Sequence, residues 1–146
     1  MRCRPALVLL ENNHVLVMKY QYGEHFIYNL PGGNPDSCEL LSETIARECM
    51  EELGIDVEVG QMLLMGQVSG TENRDDVLHI LFEGELIGGI PELQVGETNA
   101  QEVLWLPINQ LSQVTMYPNI GMELTDLLIT QQKGKYVGAI QQPWLA

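Results

Sequence analysis

Basic residues are scarce: seven lysines and arginines stand against 20 aspartates and glutamates, for a net charge of −13. Nucleic-acid binding rests on cations that neutralise phosphates, so no nucleic-acid partner is expected, and a small anionic ligand would need help from a cation. The three cysteines, Cys3, Cys38 and Cys49, have neither zinc-site spacing nor the even count of a disulfide framework. They read as reduced, mostly packed thiols of a cytoplasmic protein. Nowhere do about 20 apolar residues run together. The apolar part of "MRCRPALVLLENN" is also too short for an export signal, so neither a membrane span nor secretion is expected. Repeats, low-complexity tracts and linkers are missing as well. With 146 residues and 45% hydrophobic content, one domain over 1–146 is the expectation.

What is present reads as strands around one strong helix. "PALVLLE" and "HVLVMKYQY", joined at Asn-Asn, predict a hairpin, because asparagine tolerates turn conformations. A short strand "FIYNL" leads into the irregular "PGGNPDSCE". A helix follows over roughly Ser42 to Leu53, with Ser42 as candidate N-cap and Gly54 as C-terminal cap. "IDVEVGQMLLMGQVSG" reads as one or two strands broken near Gly60, and "DVLHILFEGELI" and "QEVLWLPI" as two more. "PNIGMELTDLLITQQ" predicts a second amphipathic helix with Ile120, Leu124, Leu127 and Leu128 on one face and Pro118 near its start. The tail "GKYVGAIQQPWLA" is a weak strand candidate. Two helices beside several strands without regular alternation predict a layered α/β fold with a mixed sheet.

The first helix carries the chemistry. Glu48, Glu51 and Glu52 stand at i, i+3 and i+4 and share a face, while Ile45, Ala46, Cys49, Met50 and Leu53 make the apolar stripe. The acids are therefore expected to point away from the core. Like charges so placed cost a few tenths of a kcal/mol per pair, and a hard divalent cation would reverse the sign. In isolation such a run is most simply a solvated acidic face. A calcium-binding helix is a poorer reading, because calcium prefers more oxygen ligands and a dedicated loop.

The wider spacing changes the balance. Gly33, five residues, Glu39, seven residues, then Arg47-Glu48-Cys49-Met50-Glu51-Glu52-Leu53-Gly54-Ile55 resembles the Nudix box, G-x5-E-x7-R-E-U-x-E-E-x-G-U, with U a bulky apolar residue. All seven fixed letters match, a coincidence of roughly one in 10⁸ in a given register at ordinary residue frequencies. "LPGG" before the loop, the upstream hairpin, and "EVLWLPINQL" followed by "YP" and a helix also look like this family. Two positions depart from it: Cys49 replaces the usual Val, Leu or Ile, and Cys38 stands where many members have glycine.

The resemblance implies an α/β/α sandwich with a central mixed sheet and a catalytic loop-helix. It also implies that Glu48, Glu51 and Glu52 hold magnesium or manganese, with the Gly32 carbonyl as a further ligand. Arg47 and Glu39 look like the pair that fixes loop to helix beside Gly33. Glu52 is the first choice of general base; Glu97, Glu102 and Glu123 are candidates outside the box. Lys19, Tyr20 and Tyr22 fall where relatives place substrate-contacting groups, with ordinary strand packing as the competing reading. Arg74, beside acids in a loop, reads as a surface ion pair. His14, His25 and His79 lack ligand spacing and read as structural, and Trp105 as core.

The implied activity is magnesium-dependent cleavage of a pyrophosphate bond in a nucleoside diphosphate linked to another group. Nucleoside triphosphates, ADP-ribose or other nucleotide sugars, and dinucleoside polyphosphates all remain open. "GQVSGTENRD" lacks the proline and the tyrosine that often mark the last two groups, which favours a triphosphate. Messenger RNA decapping is disfavoured by the acidic balance. A non-catalytic nucleotide sensor is the rival, although such domains usually lose acids that are all present here. The resemblance leaves room for a homodimer, because symmetric pairs are the commonest oligomers.

Overall fold

A computed structural model describes residues 1–144. Its elements run β1 (Arg2–Glu11), β2 (His14–Tyr22), β3 (His25–Asn29), α1 (Leu41–Leu53), β4 (Asp56–Val68), β5 (Val77–Gly88), β6 (Glu102–Pro107), β7 (Met116–Tyr117), α2 (Gly121–Thr130) and β8 (Lys135–Ala139). Asn12 and Asn13, at φ 51° and 61°, make the expected hairpin turn, because two left-handed residues match the natural twist of a pair of strands. The sheet order is β7-β3-β2-β1-β5-β4-β8, with β6 also paired to β2. β1/β5, β4/β8 and β3/β7 are parallel and the other pairs antiparallel, so the sheet is mixed as expected.

The hairpin opens soon after its turn. β1 and β2 pair only at Leu10–Val15 and Glu11–His14. β1 then follows β5 from Arg2 to Leu9, while β2 takes β6 along one edge and β3 at its far end. The chain leaving β3 fills the resulting gap. Pro31 O accepts the Leu7 N–H at 2.8 Å, Gly33 N–H donates to Pro5 O at 3.3 Å, and Gly32 bridges to Ala6. This splice fixes the loop that leads to α1.

Alternation along the strands builds two cores. Ala6, Val8, Val15 and Val17 pack with Ile120, Leu124 and Leu127 around α2. Leu7, Leu9, Leu16 and Met18 pack with Ile45, Cys49 and Leu53 of α1. The sheet thus lies between the two helices. Burying each such leucine or isoleucine contributes about 1.5–3 kcal/mol, well above the few tenths lost to each like-charge pair on α1.

Several expectations need correction. Ser42 is not the cap: α1 starts one residue earlier, after Leu40, where the Glu43 carboxylate accepts the Leu40 N–H at 2.8 Å. Leucine has no acceptor to return, so only half of a capping box forms. Gly54 does end the helix, at φ 65°, and Glu92 and Gln94 donate N–H groups to the Leu53 and Glu52 carbonyls. Of the one or two strands expected to break near Gly60, the structure has one, β4, whose register does shift there, between Val59 and Leu64. A 3-10 turn at Ile108–Gln113 and the short β7 were not anticipated. The tail strand is limited to Lys135–Ala139, and the last two residues of that candidate, Leu145 and Ala146, lie outside the described residues. Of the thiols only Cys49 is buried; Cys3 and Cys38 are exposed. No described helix is long and apolar enough to cross a membrane.

Candidate active site

The acids of α1 form a graded series. Glu48 and Glu52 are half-buried and Glu51 is exposed. At about 100° per residue, Glu52 and Glu48 flank the Ile45–Cys49–Leu53 stripe. Met50 falls beyond its edge and is 51% exposed, so the expected apolar stripe is narrower and the acids sit nearer the core. Burial, then the neighbouring Glu48 charge, raises the Glu52 carboxyl to about 7, with Arg4 pulling the other way. Glu48 is raised too, chiefly by burial and against the bonds from Arg47.

Arg47 gathers the site. Its Nε donates to Glu39 Oε2 at 2.7 Å and its Nη2 to Glu39 Oε1 at 3.1 Å. Nη1 donates to Glu48 Oε1 at 3.0 Å and Glu51 Oε2 at 3.2 Å, and Nη2 also reaches the Asn34 carbonyl at 3.2 Å. Much of the repulsion among the acids is therefore met by one guanidinium. Glu39 is held down at about 2, first by Arg47, then by the Thr44 hydroxyl and the Asp36 N–H. These bonds tie the loop to the helix. Lysine cannot reproduce the planar fork. If the acid face holds a divalent cation, Arg47→Lys is expected to weaken its binding by about 10–100-fold, measured by titrating metal. An unaltered metal affinity would count against Arg47 as the organiser.

The loop backbone touches the same acids. A Cβ on Gly33 would lie 2.5 Å from the Glu48 carboxyl carbon, and Gly32 is wedged against Pro5 and Ala6. Cys38, where relatives often have glycine, adopts φ 65°, a left-handed conformation that costs an ordinary residue about 1–2 kcal/mol.

The tentative substrate residues divide between the two sides of the sheet. Tyr20 packs in the core beneath α1, and its hydroxyl pairs with Thr98 Oγ1 at 3.1 Å. Strand alternation puts Tyr22 on the same side as Tyr20. Lys19 continues the Val15–Val17 side, which faces α2, and its Nζ lies 4.2 Å from the Phe26 ring centroid. Among the described residues, Glu97, Glu102 and Glu123 make no hydrogen bond to the box acids. Glu102 sits opposite Lys19 on β6, and Glu123 is in the first turn of α2. Trp105 is partly buried against the α1 core.

Sequence reasoning missed a neighbouring aromatic pocket. A cavity of about 290 Å³ is lined by Tyr22, Ile27, Asn29, Arg74, Tyr117 and Trp144, among others. Among the described residues Arg74 has no partner for the expected ion pair; its guanidinium lies 4.0 Å from the Trp144 ring centroid. The tail that supplies this wall is tied down, since Asn119 N–H donates to Gln142 Oε1 at 2.9 Å and Asn119 Nδ2 to the Gln141 carbonyl at 3.0 Å. Arg4 lies 5.1 Å from the centroid of Tyr117. The only signals for these residues were the "YP" pair and the scarcity of cations. A larger cavity of about 540 Å³ is bordered by Glu58, Glu83, Leu127 and Lys133; neither cavity takes a wall from α1 or its loop, and the aromatic one is linked toward the acids through Tyr117 and Arg4.

In kind, the donors suit a hard divalent cation: three carboxylates on one face, two of them raised by burial and so short of positive charge. Among the described residues no three acid, histidine or cysteine side chains already make an ion cage. Glu48 and Glu51 are turned to Arg47 instead.

An ADP-ribose pyrophosphatase of Methanocaldococcus jannaschii is 28% identical over 108 residues, or 73% of this chain, and the match spans 62% of that relative's length. The structure of a NUDIX hydrolase from Nitrosomonas europaea is similar with a TM-score of 0.75 at 16% identity, over 90% of each chain. That of the MutT protein from Methanosarcina mazei Go1 has a TM-score of 0.70 at 21% identity, over 90% of this chain and 96% of that one. Such identities speak for the fold alone. The NUDIX domain family, however, matches residues 1–128 in sequence, a span that holds the β1–β3 platform, the Gly32–Gly33 loop and the Arg47–Gly54 segment, and the chain therefore belongs to that family.

Proposed function

We propose that this protein is a divalent-metal-dependent hydrolase that splits a phosphoanhydride bond in a nucleoside diphosphate linked to another group, with a nucleoside triphosphate as the first substrate class. The observation that carries this reading is the graded acid face, with Glu52, its half-buried member, at about 7. Phosphoryl transfer needs charge neutralisation and in-line positioning more than covalent help. Glu48, Glu51 and Glu52 would hold magnesium or manganese, with the Gly32 carbonyl as a further donor. When bound, that ion neutralises the diphosphate and makes water easier to deprotonate. Glu52, kept ionised once the cation is bound, is the carboxylate placed to take a proton from that water. Arg47 and Glu39 keep the loop and helix in register while this occurs.

The aromatic pocket supports a nucleotide. At about 290 Å³ it lies at the lower end of ligand-pocket sizes, roughly 300–1,000 Å³, which suits one base. Tyr22, Tyr117 and Trp144 supply faces on which a base can stack, and the Asn29 amide can read an edge. One base pocket favours a triphosphate over a dinucleoside polyphosphate. ADP-ribose is the second reading, supported by the activity in the name of the 28% identical relative.

The test is release of phosphate or pyrophosphate from nucleoside triphosphates, ADP-ribose, nucleotide sugars and dinucleoside polyphosphates, each with magnesium and with chelator. Magnesium-dependent turnover of triphosphates is expected. Preference for ADP-ribose would transfer the assignment to the second reading. Tight binding without turnover of any compound would leave a nucleotide sensor.

A further inference from the structure

Among the described residues, the ion pairs involve Arg47 and Lys133, and Arg4, although half-buried, has no acid of its own. Its position is nonetheless fixed. Arg4 precedes Pro5, whose carbonyl accepts the Gly33 N–H at 3.3 Å, and Gly33 abuts the Glu48 carboxylate. Its guanidinium lies 5.1 Å from the Tyr117 ring centroid. Tyr117 meets His79 edge-on at 5.1 Å with planes at 90°, and His79 is the β5 residue in register with Arg4. His79 is fully buried with both ring nitrogens unpartnered among the described residues. Burial, then Arg4, holds it down at about 4, so it backs the tyrosine as a neutral ring. The Arg4 charge reaches the other way too, lowering Glu52, Glu48 and Tyr20 against the larger effects of burial.

An arginine seated on an aromatic face keeps its in-plane N–H donors free, and those donors match phosphate oxygens in pairs. The half-buried acids would repel a diphosphate, while a guanidinium 5.1 Å from Tyr117, which lines the aromatic pocket, attracts one. We propose that Arg4 is the phosphate-binding residue of this site, gripping the diphosphate where it passes from the acid face to the aromatic pocket. The assignment rests on the hydrolase reading above but is tested apart from it.

Calorimetric titration with inorganic pyrophosphate and calcium would compare the wild type with Arg4→Gln and Arg4→Lys. Losing charge-assisted bonds is expected to raise the pyrophosphate Kd about 10–100-fold in Arg4→Gln, with Arg4→Lys, which keeps the charge but not the paired donors, recovering only part of it and all three melting alike. Equal affinity in the three proteins, or lysine no better than glutamine, would overturn the assignment and leave Arg4 as packing on Tyr117. A wild type that hydrolyses nothing, while Arg4→Gln still loses pyrophosphate, would sink the hydrolase and keep Arg4 as the phosphate ligand of a binding protein.

Discussion

Glu52→Gln is expected to lower kcat by about 10³-fold, while making the metal-free protein more stable at pH 8. The two effects share a cause. The folded state holds the Glu52 carboxyl at about 7 against an ordinary 4.5, so folding penalises the charged form. For a carboxyl raised in this way, stability is fully present below the unfolded value and is lost as pH rises through the folded one. The wild type should therefore lose stability between about pH 4.5 and 7, and Glu52→Gln, with one charge fewer to desolvate, should lose less. Glu52 is half-exposed, so solvent screening leaves roughly 1 kcal/mol of the full effect. A divalent cation requires the ionised form, so its affinity should rise with pH across the same window and depend on pH less steeply in the variant, where Glu48 alone remains raised by burial. Single-turnover kinetics and chelator-treated melts at pH 5 to 8 report both quantities. Wild-type turnover in Glu52→Gln would remove Glu52 from the proposed role of base.

Gly32→Ala is expected to unsettle the whole loop. A Cβ there would sit 2.2 Å from the Pro5 carbonyl oxygen and 2.8 Å from the Ala6 Cα. Both atoms are backbone of β1, which is paired with β5 from Arg2 to Leu9 and cannot yield cheaply. The expected cost is about 2–4 kcal/mol, a melting drop on the order of 10 °C. Any folded remainder should turn over poorly, because Gly33 and Glu48 move with the loop. Gly88→Ala is a useful control: the nearest atom its Cβ would meet is Asp56 Cβ at 3.8 Å. If the two variants melted together, the splice between loop and strand would not be what holds the site.

The helix and its loop were legible in the sequence because their signals are local. Spacing along one helix brings Glu48, Glu51 and Glu52 together, Gly54 ends it, and the box relates Gly33 and Glu39 to Arg47. Helical spacing says less about where the buried face stops. Met50 was assigned to the apolar stripe although the sheet covers only the Ile45–Cys49–Leu53 ridge, so Glu48 and Glu52 lie drier than expected. Ser42 looked like a cap because its side chain can accept a hydrogen bond, but Glu43 serves the free N–H of Leu40 instead. Arg4, Tyr117 and Trp144 lay beyond reach for another reason. They come from the beginning, the late middle and the end of the chain, and meet only because β3 pairs with both β2 and β7. Strand parity, which could have been read from "VLVMKY", separates Lys19 from Tyr20.

Cys49 is fully enclosed beneath α1, and burial, then Glu52 and Glu48, pushes its thiol up to about 12. Thiolates attack alkylating reagents and thiols do not, so exposed Cys3 and Cys38 react early while Cys49 is shielded twice, by packing and by its proton. Modification of that third thiol must wait for excursions that lift the helix from the sheet. Cys49 thus serves as a clock for the breathing of the segment that carries the acids, and any ligand that knits loop to helix slows the clock without touching the sulfur.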